Sequence, residues 1–146
     1  DFHRQRARII GICFGHQIIA HSLGGLAAKS DKGWGLGVLD CKQTLSGSES
    51  TLRLIHSHQD QVITLPPEAT RLAGCEFCPN AALAIDNSVL TFQGHPEFTP
   101  AYLQRLLVQR KGRIDSVIAE RAIASLATPT DHEQVGRYLL DFIYRK

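Results

Sequence analysis

The 146-residue chain has no methionine, a single tryptophan at Trp34, and only 7% aromatic residues. No apolar run approaches the roughly 18 residues of a membrane span, and no signal peptide is visible, so a membrane protein is not expected. An excess of one charge is also missing, since 16 basic residues face 14 acidic ones for a net charge of +2. That balance is unremarkable and gives no sign of the basic footprint of a nucleic-acid binder. Arg105, Arg110, Lys111 and Arg113 interleave with apolar positions, as on a solvated helix face, and no aromatic interleaving accompanies them. Leu45–Ser50 reads as a hairpin loop and lacks the glycine spacing and Lys-Ser/Thr of a phosphate loop. Internal repeats and low-complexity stretches are absent. What remains is a chain of one-domain size, 43% hydrophobic, with enough apolar material for a sizeable core.

Cysteine is scarce, at four residues, and one of the four stands in an informative place. Residues 11–17 read Gly-Ile-Cys-Phe-Gly-His-Gln, after the strand-like Ala7-Arg8-Ile9-Ile10 and before an apolar helical pattern ending at Gly24-Gly25. A cysteine within Gly-x-Cys-x-Gly, between strand and helix, is the thiol form of the nucleophile elbow. The flanking glycines let strand and helix approach closely. The helix N-terminus beside the sulfur favours thiolate over thiol. The competing reading is a buried structural cysteine, a small hydrophobe.

Gln93-Gly94-His95-Pro96-Glu97 follows the apolar run Ser88–Phe92. A cysteine nucleophile needs a base, and the base needs a group that orients it. His95 and Glu97 supply both, because residues two apart on an extended segment point the same way.

These two motifs together resemble the triad (class I) glutamine amidotransferases. The resemblance runs from Arg8 to about Ile143 and is closest to stand-alone proteins related to the amidotransferase domain of guanosine monophosphate synthetase. Trp34-Gly35-Leu36-Gly37, Ser57-His58-Gln59-Asp60-Gln61-Val62 and Phe77-Cys78-Pro79-Asn80-Ala81 also look like that group. The resemblance implies a flavodoxin-like α/β open sheet. It implies Cys13 as nucleophile, His95 as general base and acid, Glu97 as the residue orienting it, and the Phe14 N–H as an oxyanion donor. Gln17 and the backbone around Ser57, Gln59 and Asp60 would hold the α-amino and α-carboxylate groups of glutamine. The implied reaction splits the glutamine side-chain amide into glutamate and ammonia through a thioester, with no cofactor and no metal. A partner enzyme would accept the ammonia.

Members of the group normally carry strands and helices upstream of the elbow strand, including a glycine loop that gives a second oxyanion N–H. The chain is therefore expected to be the C-terminal part of one amidotransferase domain spanning residues 1–146, impaired as a catalyst in this truncated form. After Glu97 the sequence holds helices that close a domain and no ATP-pyrophosphatase loop, as in a stand-alone amidotransferase or a glutamine-dependent subunit. One alternative is a γ-glutamyl hydrolase acting on a peptide or polyamine conjugate. A second is a noncatalytic interaction domain, against which the intact Cys13–His95–Glu97 set argues.

Cys75-Glu76-Phe77-Cys78 is a CxxC, but the spare candidates Cys41, His56 and His58 show no paired metal-ligand spacing. Cys41, Cys75 and Cys78 are read as ordinary reduced thiols, and a reducing cytoplasmic compartment suits a working thiol nucleophile. His16 and His21 are expected to pack on the elbow helix, His58 to neighbour the site, and His3 and His132 to lie on the surface. Strands are expected at Arg8–Ile12, Leu26–Ser30, Gly37–Gln43, Thr51–His56, Arg71–Glu76, Ala82–Ile85 and Ser88–Phe92, the last two joined by a tight turn at Asp86-Asn87. Helices are expected at Pro100–Gln109, Ile114–Leu126 and His132–Ile143, with Thr128–Asp131 breaking and then capping the last pair. Strand–helix alternation means α/β, with nucleophile and base at carboxyl ends of strands.

Overall fold

The computed structural model describes residues 7–45 and 47–145. The surface reading of His3 and part of the Leu45–Ser50 loop, at Ser46, lie outside the described residues. The first unit is β1 (Ile9–Ile12) followed by α1 (Phe14–Ser22), with one residue, Cys13, between them. Helix α1 stops where the glycines place it. Gly24 adopts φ +95°, its N–H meets the His21 carbonyl, and Gly25 N–H meets the Ala20 carbonyl at 2.9 Å. That pair of bonds is a Schellman cap, which needs a residue tolerant of positive φ.

Strands β2 (Leu26–Lys29), β3 (Gly35–Gln43), β4 (Ser50–His58), β5 (Asp60–Thr64), β6 (Thr70–Gly74), β7 (Ala82–Ile85) and β8 (Val89–Phe92) follow, then α2 (Pro100–Gln109), α3 (Ser116–Ser125) and α4 (His132–Tyr144). Strand β5 was not anticipated. Its five residues begin with Asp60-Gln61, and only the antiparallel pairing with β2 identifies them as a strand. The other expected elements are present within a few residues.

A six-stranded sheet runs β1-β8-β7-β6-β3-β4, and β2 pairs with β5 in a separate ribbon. Strands β1 and β8 are parallel, while the pairings from β8 to β4 are antiparallel. The class is α/β, but helix–strand alternation is confined to the start, because β3 to β8 follow one another through turns and loops. The sheet also curls. Ile55 of β4, at the far end of the strand order, bridges back to His95, just beyond β8, with His95 N–H donating to the Ile55 carbonyl at 2.8 Å.

Three apolar clusters fill the two faces. Val135 and Phe142 of α4 pack with Leu54, Leu90 and Phe92. Ala20 of α1 packs with Val62, Leu83 and Val89. Leu103, Leu107 and Ala122 of α2 and α3 cover Ile55. Thr99 caps α2 and Asp115 caps α3. Asp131 sits at the start of α4 but caps nothing with its side chain. Its carboxylate instead accepts the Arg53 N–H of β4 at 2.7 Å, tying the helix to the sheet edge. Tertiary docking here takes the carboxylate away from local capping.

Candidate active site

Cys13 occupies the single residue between β1 and α1 with φ 51° and ψ −102°. Positive φ is uncommon for a residue with a Cβ and marks strain of the kind stored at functional sites. The turn is this sharp because the helix lies hard against the strand. A Cβ on Gly11 would meet the Gly15 carbonyl carbon and oxygen at 2.8 Å and Ile19 Cδ1 at 2.6 Å. Gly15 is not needed in the same way, since a Cβ there would point into open space.

The first turn of α1 has no side-chain cap and no acidic residue. With no side chain capping that turn, the Phe14 N–H reaches the Cys13 sulfur. The Phe14 ring itself is exposed. Burial pushes the Cys13 thiol above its ordinary pKa, with the Glu97 charge acting the same way, while the Phe14 N–H and the Gln93 amide oppose the rise. The helix terminus thus acts toward thiolate, as expected of the elbow, but burial outweighs it and leaves the thiol pKa raised.

His95 lies at the carboxyl end of β8, the strand beside β1. Its Nδ1 is 2.6 Å from Glu97 Oε1, and its ring stacks on Phe98 with centroids 3.7 Å apart. Nδ1–H donates to the carboxylate, so in the neutral ring it is Nε2 that carries the lone pair. Among the described residues no hydrogen bond joins His95 to Cys13; the sulfur is approached by Gln93 Nε2 at 3.6 Å. Gln93 is fully buried, and its Oε1 accepts from Gln17 Nε2 at 3.1 Å. Gln17 also donates to the Asp60 carbonyl at 2.6 Å. Gln17 therefore links α1, β8 and β5 instead of standing free.

A cavity of about 300 Å³ opens beside Cys13, walled by Gln17, Trp34 and Arg110 and by the run Ser57 to Asp60. All the residues anticipated around glutamine thus share one wall. Ser57 Oγ is buried without a hydrogen-bond partner among the described residues. Beneath the wall, His58 Nδ1 donates to the Asp60 carbonyl at 3.0 Å. Its Nε2 must then accept from His56 Nδ1, also at 3.0 Å. Gly35 makes room for this packing, because a Cβ there would lie 2.7 Å from both His58 Nε2 and Phe77 Cε1. Burial keeps these rings neutral, pushing His58 down to about 4 and His56 further below its ordinary range. His16 packs in the core as expected, between Thr91 Oγ1 and the Asn80 carbonyl. His21, expected to pack, is instead exposed on α1, while His132 is exposed as expected.

Two residues at the site carry no warning in the spacing. Gln93 touches the sulfur, although in the sequence it is only the residue that opens the His95 motif. Arg110 was placed on a solvated helix face, but its guanidinium lies over Trp34 at 6.0 Å from the ring centroid and lines the cavity. Among the described residues, no cluster of histidine, cysteine and carboxylate side chains could hold a metal ion, and no helix is long and apolar enough to cross a membrane.

The family model for class I glutamine amidotransferases matches residues 2–111. The chain belongs to this family. It is 32% identical over 132 residues to gamma-glutamyl peptidase 2 of Arabidopsis thaliana, covering 83% of this chain and 53% of that protein. It is 34% identical over 108 residues to one subunit of the glutamine-hydrolysing GMP synthase of Methanospirillum hungatei, covering 70% of this chain and 57% of that protein. Among solved structures, a glutamine amidotransferase from Thermotoga maritima superposes with a TM-score of 0.76 at 21% identity, over 99% of this chain and 66% of that one. The chain spans about half the length of the curated relatives it matches.

Proposed function

We propose that this amidotransferase-family chain hydrolyses the side-chain amide of glutamine through a thioester on Cys13. The observation that carries the reading is the strained elbow holding Cys13 at the end of β1, beside the His95–Glu97 pair at the end of β8. His95 Nε2 takes the thiol proton, which the raised pKa of Cys13 makes necessary, and the sulfur attacks the amide carbon. The Phe14 N–H turns from the sulfur to the developing oxyanion. His95 then gives its proton to departing ammonia and activates the water that releases glutamate, while Glu97 stabilises the imidazolium. Ser57 Oγ, without a partner in the wall, is suited to a polar atom of the substrate, and the backbone of Gln59 and Asp60 lies alongside it. A relative named as part of a GMP synthase supports release of ammonia to a partner enzyme.

A γ-glutamyl peptide is the second substrate reading, and Arg110 is the observation that favours it. A cation on the cavity wall could take a carboxylate of the leaving group, which ammonia does not have. A relative named as a γ-glutamyl peptidase supports it as well. Parallel assays with glutamine and a γ-glutamyl dipeptide, measuring glutamate release, separate the two. Higher kcat/KM for glutamine supports the first reading; higher kcat/KM for the dipeptide, lost in Arg110→Ala, supports the second. No turnover of either, with Cys13 left unlabelled by a diazoketone analogue of glutamine, would leave a noncatalytic interaction domain.

A further inference from the structure

Three of the four cysteines lie outside the candidate site, and the sheet brings them together. In the antiparallel β3–β6 pair, Lys42 faces Gly74 and Gln43 faces Ala73. One step further along the same register, Cys41 faces Cys75. The Thr44 N–H donates to the Leu72 carbonyl at 2.9 Å, which makes that opposed pair a hydrogen-bonded one. Alternation along the ladder then makes Cys41 and Cys75 a non-hydrogen-bonded pair, in which Cα atoms stand about 4.5 Å apart and side chains come closest. The backbone agrees, since Cys75 N–H turns away to the Cys78 carbonyl at 3.0 Å. A disulfide spans Cα separations of about 4.4–6.8 Å, so this register brings the two cysteines within the range that a cross-strand disulfide needs. The two thiols are close enough that each shifts the titration of the other.

The pair is also divided in accessibility. Cys41 is 2% exposed. Cys75 is half-buried and lines a cavity of about 380 Å³, together with Lys42, Glu49 and Arg71. We propose that Cys75 and Cys41 form a reversible oxidation site, with Cys75 the thiol that meets a hydroperoxide and Cys41 the thiol that resolves it into a cross-strand disulfide. The Cys75 thiolate attacks a peroxide oxygen, the O–O bond breaks, and with one proton taken up the products are a Cys75 sulfenic acid and one water (an alcohol from an organic peroxide). The Cys41 thiol then attacks the Cys75 sulfur, the S–O bond breaks, and the Cys41 proton leaves with the hydroxyl as water. Two thiols are oxidised and one peroxide is reduced.

The environment suits this division of roles. The Cys41 thiol donating to it, aided by the Cys78 and Phe77 N–H groups and the Lys32 charge, holds Cys75 down at about 6 against the effect of its burial. A thiolate at neutral pH is the form that reacts with peroxide. Cys78 is the rival partner: burial and the neighbouring Cys75 push it up to about 12, but the Cys41 thiol is pushed up as well, so the choice of Cys41 rests on the register that sets it across from Cys75. The loop of residues 75–81 between β6 and β7 also reaches the candidate site, because the Phe77 ring meets His58 edge-on at 6.2 Å and the Asn80 carbonyl accepts from His16.

The test is to oxidise the reduced protein with hydrogen peroxide, alkylate the remaining thiols and map the digest without reductant. The expected product is a Cys41–Cys75 cross-linked peptide that dithiothreitol separates, formed equally in Cys13→Ser and Cys78→Ser. In Cys41→Ser, dimedone should capture the sulfenic acid on Cys75. A dominant Cys75–Cys78 link in the wild-type protein would overturn the proposal. So would Cys41 and Cys75 remaining alkylatable while Cys13 is oxidised. Because the decisive mapping uses wild-type protein, instability of a serine variant does not blunt it, and the result is independent of which amide the Cys13 site takes.

Discussion

At the scale of single residues, the site rests on two opposed settings of its reactive groups. Cys13 is strained and partly buried, so its proton is held, while His95 is turned by Glu97 so that Nε2 is bare. His95→Ala should therefore lower kcat by about 10²–10⁴, the usual weight of positioned acid–base catalysis. Glu97→Gln should lose less, since an amide oxygen still accepts from Nδ1–H but no longer stabilises the imidazolium. Glutamate release assays read both, and a Glu97→Gln loss equal to that of His95→Ala would show that charge outweighs orientation. The raised Cys13 pKa has its own consequence. With no substrate bound, alkylation of Cys13 by a neutral reagent such as iodoacetamide should keep rising beyond the ordinary thiol range near pH 8.5. A plateau reached below pH 7 would reveal a thiolate already paired with His95.

At the scale of elements, the geometry depends on how closely α1 approaches β1. Gly11→Ala places a Cβ within 2.8 Å of the Gly15 backbone, and backbone, unlike a flexible side chain, cannot simply swing aside. The helix must shift, at a cost of about 1–3 kcal/mol typical of overpacking. Because α1 carries Gln17, whose amide joins the Asp60 carbonyl and Gln93, the same shift should loosen the cavity wall. Urea unfolding should show the lost stability, and turnover should fall more than the unfolded fraction explains. Unchanged turnover in a destabilised Gly11→Ala protein would mean that the wall does not depend on the helix position.

At the scale of the whole molecule, three neutral histidines make folding sensitive to acid. Burial is the leading cause in each: His16 and His58 are pushed down to about 4, and His56 well below 6.5. In the unfolded chain they titrate near 6.5. As pH falls below that value, the unfolded state takes up protons that the folded state refuses, so stability drops. For His16 and His58 the slope fades once pH passes about 4. Each histidine contributes at most about 1.4 kcal/mol per pH unit within its window. The urea midpoint should thus fall steadily from pH 7 to pH 5 while holding level above pH 7.5. An unchanged midpoint across that range would mean that these rings take up protons as readily in the fold as in the unfolded chain.

Local chemistry alone determined much of what this protein is. Gly-x-Cys-x-Gly placed an elbow, Gly24-Gly25 ended its helix, Thr99-Pro100 began another, and His95 with Glu97 formed a pair across two residues of extended chain. These features depend on neighbours in sequence, where spacing translates directly into geometry. The curl of the sheet, by contrast, arises from strands far apart in the chain. Ile55 meets His95 only because β4 and the end of β8 close on each other, and that closure sets the Ser57–Asp60 wall beside Cys13. The same long-range pairing turned Asp60–Thr64 into a strand, drew Asp131 from its cap to Arg53, brought Arg110 over Trp34, and set Cys41 opposite Cys75. None of these leaves a periodic trace, because each partner's own segment looks ordinary until register and docking decide what lies across from it.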